Sequence, residues 1–474
     1  MATTQFDQAI FTSIRTPTGE GYRIIAASAG LRADEKQSIT RLSPSHNGLC
    51  AEDPNSQGAD SSMPGTAFYQ LPTGRLCVAY SCLAGAEHTA RGGQRVYTQN
   101  LIFSPEDFRV WGWNPFAILR AMLCAGLCEP QLKPPAVFEP VELSPGDSVA
   151  PTDPQAGLLA LAGGWGRAVL QDAMEGRRVV LNLDGSWAEA LEVLMLGVPA
   201  QRRAEMSFAA GLHFTASRPH VITILSDADQ QAKHRLIGQP VTYVDATDPE
   251  PPEMRPSQWL TFVDRCWSGG ALETLGRRTN CELPDVSTPG LERLGALFNE
   301  LDSLSSKNIG ELLDTIGRVS NQLAASPERE LVRQLIDAAE EQACRSLERA
   351  TWNDCAEFWP RAVSLLAASD WVSGAVQTIA ERMLEAAISH DPLAAAAAAI
   401  ELARRARESS VPTESMQLVD HALEAVAVWA EKLFGPDEAR FRAACAGWRE
   451  LAADCPPVAK LCAMADKLAA TGPK

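Results

Sequence analysis

The chain has 474 residues, of which 46% are hydrophobic and 21% charged, and its formal net charge is −17. This length suits roughly two to four domains. From residue 286 onward there are 28 acidic and 19 basic residues, a difference of −9, so −8 remains for the first 285 residues. Negative charge spread in this way argues against binding of nucleic acids or anionic lipids, although it does not exclude a local basic groove.

The sequence predicts a cytoplasmic, soluble protein. The start, "MATTQFDQAIF", has neither a basic segment nor a long apolar segment of a secretory signal. No run of 18 apolar residues offers a membrane span. The 12 cysteines are scattered rather than dense, which favours a reducing compartment over a secreted disulfide scaffold.

The sequence pattern of residues 1–128 predicts a strand-rich α+β domain. Turn chemistry between β-rich runs predicts two hairpins, one at Pro17-Thr18-Gly19-Glu20 and one at Pro72-Thr73-Gly74. Helices are expected at Arg32–Leu42, ended by Pro44, and at Asn114–Cys128, with Asn114 as its cap. The predicted strands are Gln8–Ile14, Tyr22–Ala27, Thr66–Leu71, Arg75–Leu83 and Arg95–Phe103.

Residues 129–154 contain seven prolines and predict a connector without regular structure. Residues 155–285 predict a middle α/β domain with a mixed sheet. Its strands are expected in "RRVVLNL" and "RPHVITILSD", on either side of a helix in "DGSWAEALEVLMLGV" that opens at Asp184 or Ser186.

Residues 286–474 predict an all-helical C-terminal array. Apolar residues recur there at helical spacing, and Asp391-Pro392 and Gly435-Pro436 are typical helix starts. No fixed repeat period is visible, which favours an irregular array over a solenoid. Five tryptophans are expected to anchor helix packing or a partner surface: Trp352, Trp359, Trp371, Trp429 and Trp448.

The glycine pair of "IFTSIRTPTGEGYRIIAASAGL", Gly19 and Gly21, raises the question of a phosphate loop. Such a loop needs a Lys and a Ser or Thr at the start of a helix, in the pattern GK[ST]. The segment after Gly21 contains no such pattern and has the composition of a strand. The glycines therefore predict a β-hairpin rather than a phosphate site.

Cysteine and histidine offer two further hypotheses. Cys124 and Cys128 stand four residues apart on the predicted helix among apolar residues, which favours buried thiols over a zinc site. His213, His220 and His234 form no metalloprotease motif. Cys82 and His88 could form a nucleophilic pair only if the fold brings them together, and no family signature surrounds Cys82.

Carboxylates and arginines complete the candidates. Asp227 and Asp229 follow the strand "VITILS", where a metal site is conceivable, but a solvated turn is the simpler interpretation. Asp245, Asp248 and Glu250 come later. Five arginines in the middle region predict a solvated basic face or a contact with an anionic partner. They are Arg167, Arg177, Arg178, Arg202 and Arg203. The turn "GGWG", Gly163–Gly166, predicts a packing anchor at its tryptophan.

Three phrases together resemble the bacterial GTPase-associated protein family, first type, with the type-two form of its N-terminal domain. They are the opening "QAIFTSIRTPTGEGYRIIAASAGL", then "RVYTQNLIFSPEDF", and "LGVPAQRRAEMSFAAGL" for the middle domain. The resemblance covers roughly residues 5–270. It implies an accessory protein encoded beside a GTPase-like NTPase, in gene clusters that look like bacterial conflict or antiviral defence systems.

The leading hypothesis is a non-enzymatic adaptor or regulator with a GTPase-like protein partner. The alternative is a hydrolase or transferase with an unrecognised site in the first two domains, using Asp227 and Asp229, or Cys82 and His88. We assign no catalytic, cofactor-binding or metal-binding residue and expect no cofactor. The resemblance supplies none either, and this agrees with the missing phosphate loop.

Overall fold

The computed structural model describes most of the chain. The residues described are 3–16, 19–50, 64–87, 93–131, 133–135, 137–147, 153–161, 164–183, 187–225, 235–246, 248, 254–323, 327–366, 373–408, 413–431, 436–453 and 455–471. The chain folds as two compact units, Met1–Glu292 and Arg293–Lys474. The predicted boundary at residues 285 and 286, and the division of the first unit into domains, stay predictions.

One mixed sheet of 11 strands organises the described part of the first unit. Its strands are β1 (Thr4–Thr16), β2 (Gly19–Ser28), β3 (Gly65–Gln70), β4 (Leu76–Ala86), β5 (Gln94–Phe103), β6 (Val137–Phe138), β7 (Val141–Leu143), β8 (Arg178–Asn182), β9 (Phe208–Ala210), β10 (Ile222–Leu225) and β11 (Val241–Asp245). The order across the sheet is β11-β8-β10-β9-β3-β4-β5-β1-β2-β6, and β7 pairs with β1.

The described helices of this unit come between the strands, except for the last two, which follow β11. They are α1 (Ala33–Leu42), α2 (Pro105–Val110), α3 (Pro115–Cys124), α4 (Pro154–Leu161), α5 (Trp165–Met174), α6 (Trp187–Leu196), α7 (Gln258–Ser268) and α8 (Leu272–Thr279), with 3₁₀ segments at Pro145–Asp147 and Ala200–Glu205. Trp165 is buried at the start of α5, as predicted for a packing anchor, and Gly164–Gly166 lead into this helix rather than forming only a turn, while Gly163 lies outside the described residues.

The antiparallel half of the sheet confirms both predicted hairpins. Strands β1 and β2 pair from Ala9↔Ala27 to Thr16↔Gly19, and Pro17 and Thr18 of the turn lie outside the described residues. Strands β3 and β4 are joined by the segment that contains Gly74, whose φ of +84° favours glycine. The glycine-rich opening is therefore a strand pair, as the sequence predicts.

The other half is parallel. Strand β10 runs parallel to β8 and β9, and β11 runs parallel to β8, while β9 pairs antiparallel with β3. Helix α5 packs against β8 and β11, which covers part of this half. One sheet thus runs through residues of both predicted N-terminal and middle domains, and the expected mixed α/β and α+β class is confirmed.

The proline-rich segment is more regular than predicted. Strand β6 pairs parallel with β2, and β7 pairs antiparallel with β1, so residues 129–154 contribute to the sheet. The expectation of no regular element is wrong because two short stretches between prolines find existing strands to pair with. Pro140 lies between β6 and β7, where it interrupts no pairing.

The predicted helix Asn114–Cys128 is shorter in the structure. Asn114 caps it as expected, since its Oδ1 accepts hydrogen bonds from the backbone N–H of Phe116 at 2.9 Å and of Ala117 at 3.4 Å. The helix ends at Cys124 because Gly126, with a φ of +68°, closes a Schellman motif. The N–H of Leu127 donates to the carbonyl of Met122 at 3.0 Å. Cys128 therefore lies beyond the helix.

The second unit confirms the predicted helical array. The first helix, α9 (Thr288–Ser303), begins before the boundary between the two units and continues into the second unit. The further described helices are α10 (Ile309–Leu323), α11 (Arg329–Leu347), α12 (Trp352–Cys355), α13 (Trp359–Leu366), α14 (Ser373–His390), α15 (Pro392–Glu408), α16 (Thr413–Ala430), α17 (Pro436–Trp448) and α18 (Pro456–Thr471). Asp391 caps α15 as expected, because its Oδ1 accepts from the N–H of Ala394 at 3.2 Å. The start at Pro436 is confirmed, and Gly435 lies outside the described residues.

A continuous apolar core runs through this helical unit, from Leu297 to Ala465. Trp359 is buried in it, whereas Trp352, Trp429 and Trp448 are half-buried against its edge. Trp371 lies outside the described residues. In the part of the chain that the structure describes, no helix combines the length and apolarity needed to cross a membrane.

Candidate functional site

The glycines of the opening hairpin lie on strands rather than at a helix start. Gly19 and Gly21 belong to β2, and residues beyond them continue as strand to Ser28. Phosphate loops place their N–H groups before a helix, where the helix dipole favours an anion. The described residues of this hairpin therefore form no phosphate cradle.

The cysteines named by the sequence divide between buried and exposed. Cys77 and Cys128 are buried, but Cys124 is exposed, so its expected burial is wrong. Cys124 occupies the last turn of α3 on the side away from the core. Cys82 contacts the Cys128 carbonyl through its Sγ at 3.8 Å, and burial raises the pKa of the Cys82 thiol to about 11.

A thiol with such a raised pKa is a poor nucleophile, because the thiolate is the reactive form. His88, the base proposed for Cys82, lies outside the described residues, as does His234. The structure therefore gives the Cys82 hypothesis no support from the described residues around it.

A cysteine–histidine contact that the sequence did not predict joins distant segments. Cys50 Sγ lies 3.8 Å from His213 Nδ1. The N–H of Cys50 donates to the Gly211 carbonyl at 2.9 Å, and Leu49 bridges Leu212, so backbone pairing holds the two side chains together. The side chain of Cys50 has no exposed surface, which leaves a substrate no path to its sulfur. A sequence separation of 163 residues gives no local signal for this contact.

Only some of the acidic candidates lie in the described part of the structure. Asp245 ends β11 beside Asn182, which ends β8, and the Asn182 amide donates to the two carboxylate oxygens at 3.3 and 3.4 Å. Tyr243 also donates to Asp245 at 3.0 Å. Asp227, Asp229 and Glu250 lie outside the described residues. Within those that the structure describes, no three His, Cys, Asp or Glu side chains form a group that could hold a metal ion.

One member of the arginine group is buried rather than solvated. Arg203 is 1% exposed and donates from Nε to the Val198 carbonyl at 2.9 Å and from Nη2 to Thr279 Oγ1 at 2.9 Å. Burial lowers the pKa of Arg203 to about 10. The prediction is therefore wrong for this residue, whose hydrogen bonds hold a 3₁₀ segment against α8.

A cleft of about 280 Å³ lies beside the junction of the antiparallel and parallel halves of the sheet. We call it the His220 cleft. Its lining comes from the end of α1, the end of β3, the 3₁₀ segment and the residues just before β9 and β10: Arg41, Leu42, Tyr69, Gln70, Ala204, Glu205, Ser207, Pro219 and His220. The antiparallel pairing of β3 with β9 brings these segments to one edge.

His220 is the most buried titratable group of this cleft, with 3% of its surface exposed. Its ring centroid lies 6.0 Å from that of Tyr69, and its Nε2 has no hydrogen-bond partner among the described residues. Burial, together with the nearby charges of Arg218 and Arg178, lowers the pKa of His220 to about 3. At neutral pH its imidazole is thus uncharged.

Arginine and serine complete the polar surface of the cleft. Arg41 is exposed on the last turn of α1 and makes no ion pair with a described residue. Glu205 pairs with Arg202, whose Nε lies 3.3 Å from Glu205 Oε2. Ser207 Oγ accepts from the N–H of Val221 at 3.0 Å, which leaves its hydroxyl hydrogen to donate.

The resemblance predicted for the N-terminal part is confirmed by comparison with known families. Residues 5–140 match the family model of GTPase-associated protein 1, N-terminal domain type 2. The match spans β1 to β6 together with α1, α2 and α3. Residues 5–140 are thus similar to the N-terminal domain of this GTPase-associated family. No curated protein matches the chain. The resemblance of the middle segment, Leu196–Leu212, stays a prediction.

Proposed function

We propose that this protein is a non-enzymatic adaptor or regulator of a GTPase-like protein, acting in a bacterial conflict or antiviral defence system. The observation that supports it is the match of residues 5–140 to the GTPase-associated N-terminal domain. The sequence lacks the GK[ST] element of a P-loop, and the opening glycines lie in a strand pair. A partner would therefore supply the nucleotide chemistry.

We further propose that the helical unit carries the surface for this partner. Three half-buried tryptophans, Trp352, Trp429 and Trp448, support this, because indole rings that keep some exposed surface are favoured at binding hot spots. Beside Trp429 on α16 lies Val428, which is 58% exposed. An exposed apolar side chain one residue before a half-buried tryptophan in the sequence suits a protein contact.

A purified GTPase-like protein from the same gene cluster tests both parts. The chain alone should release no phosphate from GTP with magnesium above background. When mixed with the partner, it should bind saturably and change the partner's turnover. GTP hydrolysis by the chain alone, abolished by one substitution in it, would overturn the adaptor proposal.

Matched valine variants locate the contact. Val428→Asp places a charge on the proposed surface and should weaken partner binding about tenfold or more, because an unpaired charge is costly to bury. Val137→Asp is the control, since Val137 is 61% exposed but lies on β6 of the other unit. If the control variant loses binding and Val428→Asp does not, the contact surface lies in the first unit.

A further inference from the structure

Two cysteines of the helical unit contact each other across neighbouring helices. Cys445 lies on α17 and Cys462 on α18, 17 residues later in the chain, and both are free thiols. The Sγ of Cys445 lies 3.7 Å from the Leu461 carbonyl oxygen, and the Sγ of Cys462 lies 3.6 Å from the Cys445 carbonyl oxygen. Each sulfur thus reaches the main chain beside the other one, and the two thiols also hydrogen-bond to each other.

We propose that this pair is an oxidative modification site, at which a peroxide converts the two thiols into an intramolecular disulfide. A disulfide forms only between cysteines whose sulfurs can meet without large movement of the backbone. The reciprocal contacts of Cys445 and Cys462 place the two sulfurs in such an arrangement. The site is independent of the adaptor proposal.

A buried cysteine elsewhere in the same unit shows the contrast. Cys355 has no exposed surface, and its Sγ lies 3.3 Å from the Thr351 carbonyl oxygen and 3.5 Å from that of Trp352. These carbonyls belong to its own helical turn, so the contacts of Cys355 join no second helix. Burial alone therefore does not distinguish Cys445 and Cys462, whereas their contact across two helices does.

The surroundings decide which thiol reacts first. Burial raises the pKa of both thiols, to about 12 for Cys445. At Cys462 the guanidinium of Arg449 and the hydrogen bond with Cys445 oppose this rise, while Asp466, the ion-pair partner of Arg449, adds to it. Cys462 is 7% exposed and Cys445 only 1%. Because the thiolate is the reactive form and needs access to the oxidant, Cys462 is the attacking residue.

The oxidation proceeds in two balanced steps. The Cys462 thiolate attacks one oxygen of hydrogen peroxide, the O–O bond breaks, and the departing hydroxide takes up a proton to become water, which leaves a sulfenic acid. The Cys445 sulfur then attacks the sulfenic sulfur, an S–S bond forms, and the S–O bond breaks with release of a second water. Local opening of α18, which packs against α16 and α17, gives the small oxidant access. The product ties α18 covalently to α17.

Peptide mapping of the unchanged full chain tests the proposal. The chain is treated with hydrogen peroxide in its folded state, then unfolded in the presence of iodoacetamide and digested. Cys445 and Cys462 should both escape alkylation and appear in one disulfide-linked pair of peptides, and dithiothreitol should restore both thiols. Alkylation of both residues after peroxide treatment, or their oxidation only to sulfinic or sulfonic acid, would overturn the proposal.

Three alanine variants test the pairing and the order of attack. Cys462→Ala and Cys445→Ala should each lose the linked peptides, and Cys445→Ala should leave a sulfenic acid on Cys462 that dimedone traps. Cys355→Ala is the matched control and should form the disulfide as the parent chain does. Absence of a dimedone adduct on Cys462 would contradict the order of attack. Loss of the linked peptides in Cys355→Ala but not in Cys445→Ala would contradict the pairing.

Discussion

At the scale of single residues, the first unit depends on polar side chains buried with their partners. Arg203 satisfies several backbone carbonyls that would otherwise be unpaired, including those of Val198 and Leu196, which its guanidinium contacts at 2.9 and 3.5 Å. The sequence gives no sign of this role. Arg202 and Arg203 are neighbours of identical type, and only the fold buries the second one.

Replacing Arg203 with methionine should lower the free energy of unfolding of the first unit by about 2–4 kcal/mol. Methionine keeps an unbranched apolar side chain but leaves the Val198 carbonyl and Thr279 hydroxyl without their donor. Chemical denaturation followed by tryptophan fluorescence measures this. Arg109→Met, at an exposed position, should change stability by no more than about 0.5 kcal/mol. A similar small effect at Arg203 would contradict the inferred role.

The lowered pKa of His220 predicts how the free energy of unfolding changes with pH. Its pKa is about 3 in the folded chain, below the ordinary value of 6.5, so between these values the unfolded chain binds a proton that the folded chain does not. Stability is therefore lost as pH falls below about 6.5. His220→Phe removes this loss. Relative to the parent, the variant should gain roughly 2–3 kcal/mol on going from pH 7 to pH 4.5. A difference between the two proteins that does not vary with pH would refute the buried neutral imidazole.

At the scale of elements, the sequence predicted those features that depend on residues close to one another in the chain. The two strand pairs of the hairpins and the caps at Asn114 and Asp391 involve residues close in sequence, and all are confirmed. Strands β6 and β7 escaped prediction because their stability comes from pairing with β2 and β1, more than a hundred residues away. The early end of α3 had a local signal in Gly126, which the apolar pattern around it concealed.

Gly126 and Gly447 offer a matched test of helix termination. An added methyl group would meet no atom within 4 Å at either position, but Gly126 has a φ of +68° and Gly447 lies inside α17. Gly126→Ala should destabilise the chain by about 1 kcal/mol, because alanine rarely adopts this conformation. Gly447→Ala should stabilise it by up to about 1 kcal/mol. Denaturant titration of both variants checks the opposite signs, and equal signs would contradict the helix ends described.

At the scale of the whole molecule, the order of fold types could be predicted but the sites could not. Strand alternation, helical spacing and proline content indicate sheet-containing parts followed by a helical array, and the structure agrees. The His220 cleft is assembled from α1, β3 and the segments before β9 and β10, which are separated by up to 179 residues, from Arg41 to His220. No spacing rule joins such groups, because they meet through the pairing of strands that are distant in sequence, such as β3 with β9 and β9 with β10.

The central claim is association with a GTPase-like partner, supported by the family match of residues 5–140. Titration of the full chain into the purified GTPase-like protein of its gene cluster, loaded with GDP or with a non-hydrolysable GTP analogue, tests it most directly. We expect saturable binding, with one nucleotide state bound more tightly than the other. Absence of binding in both states would contradict it.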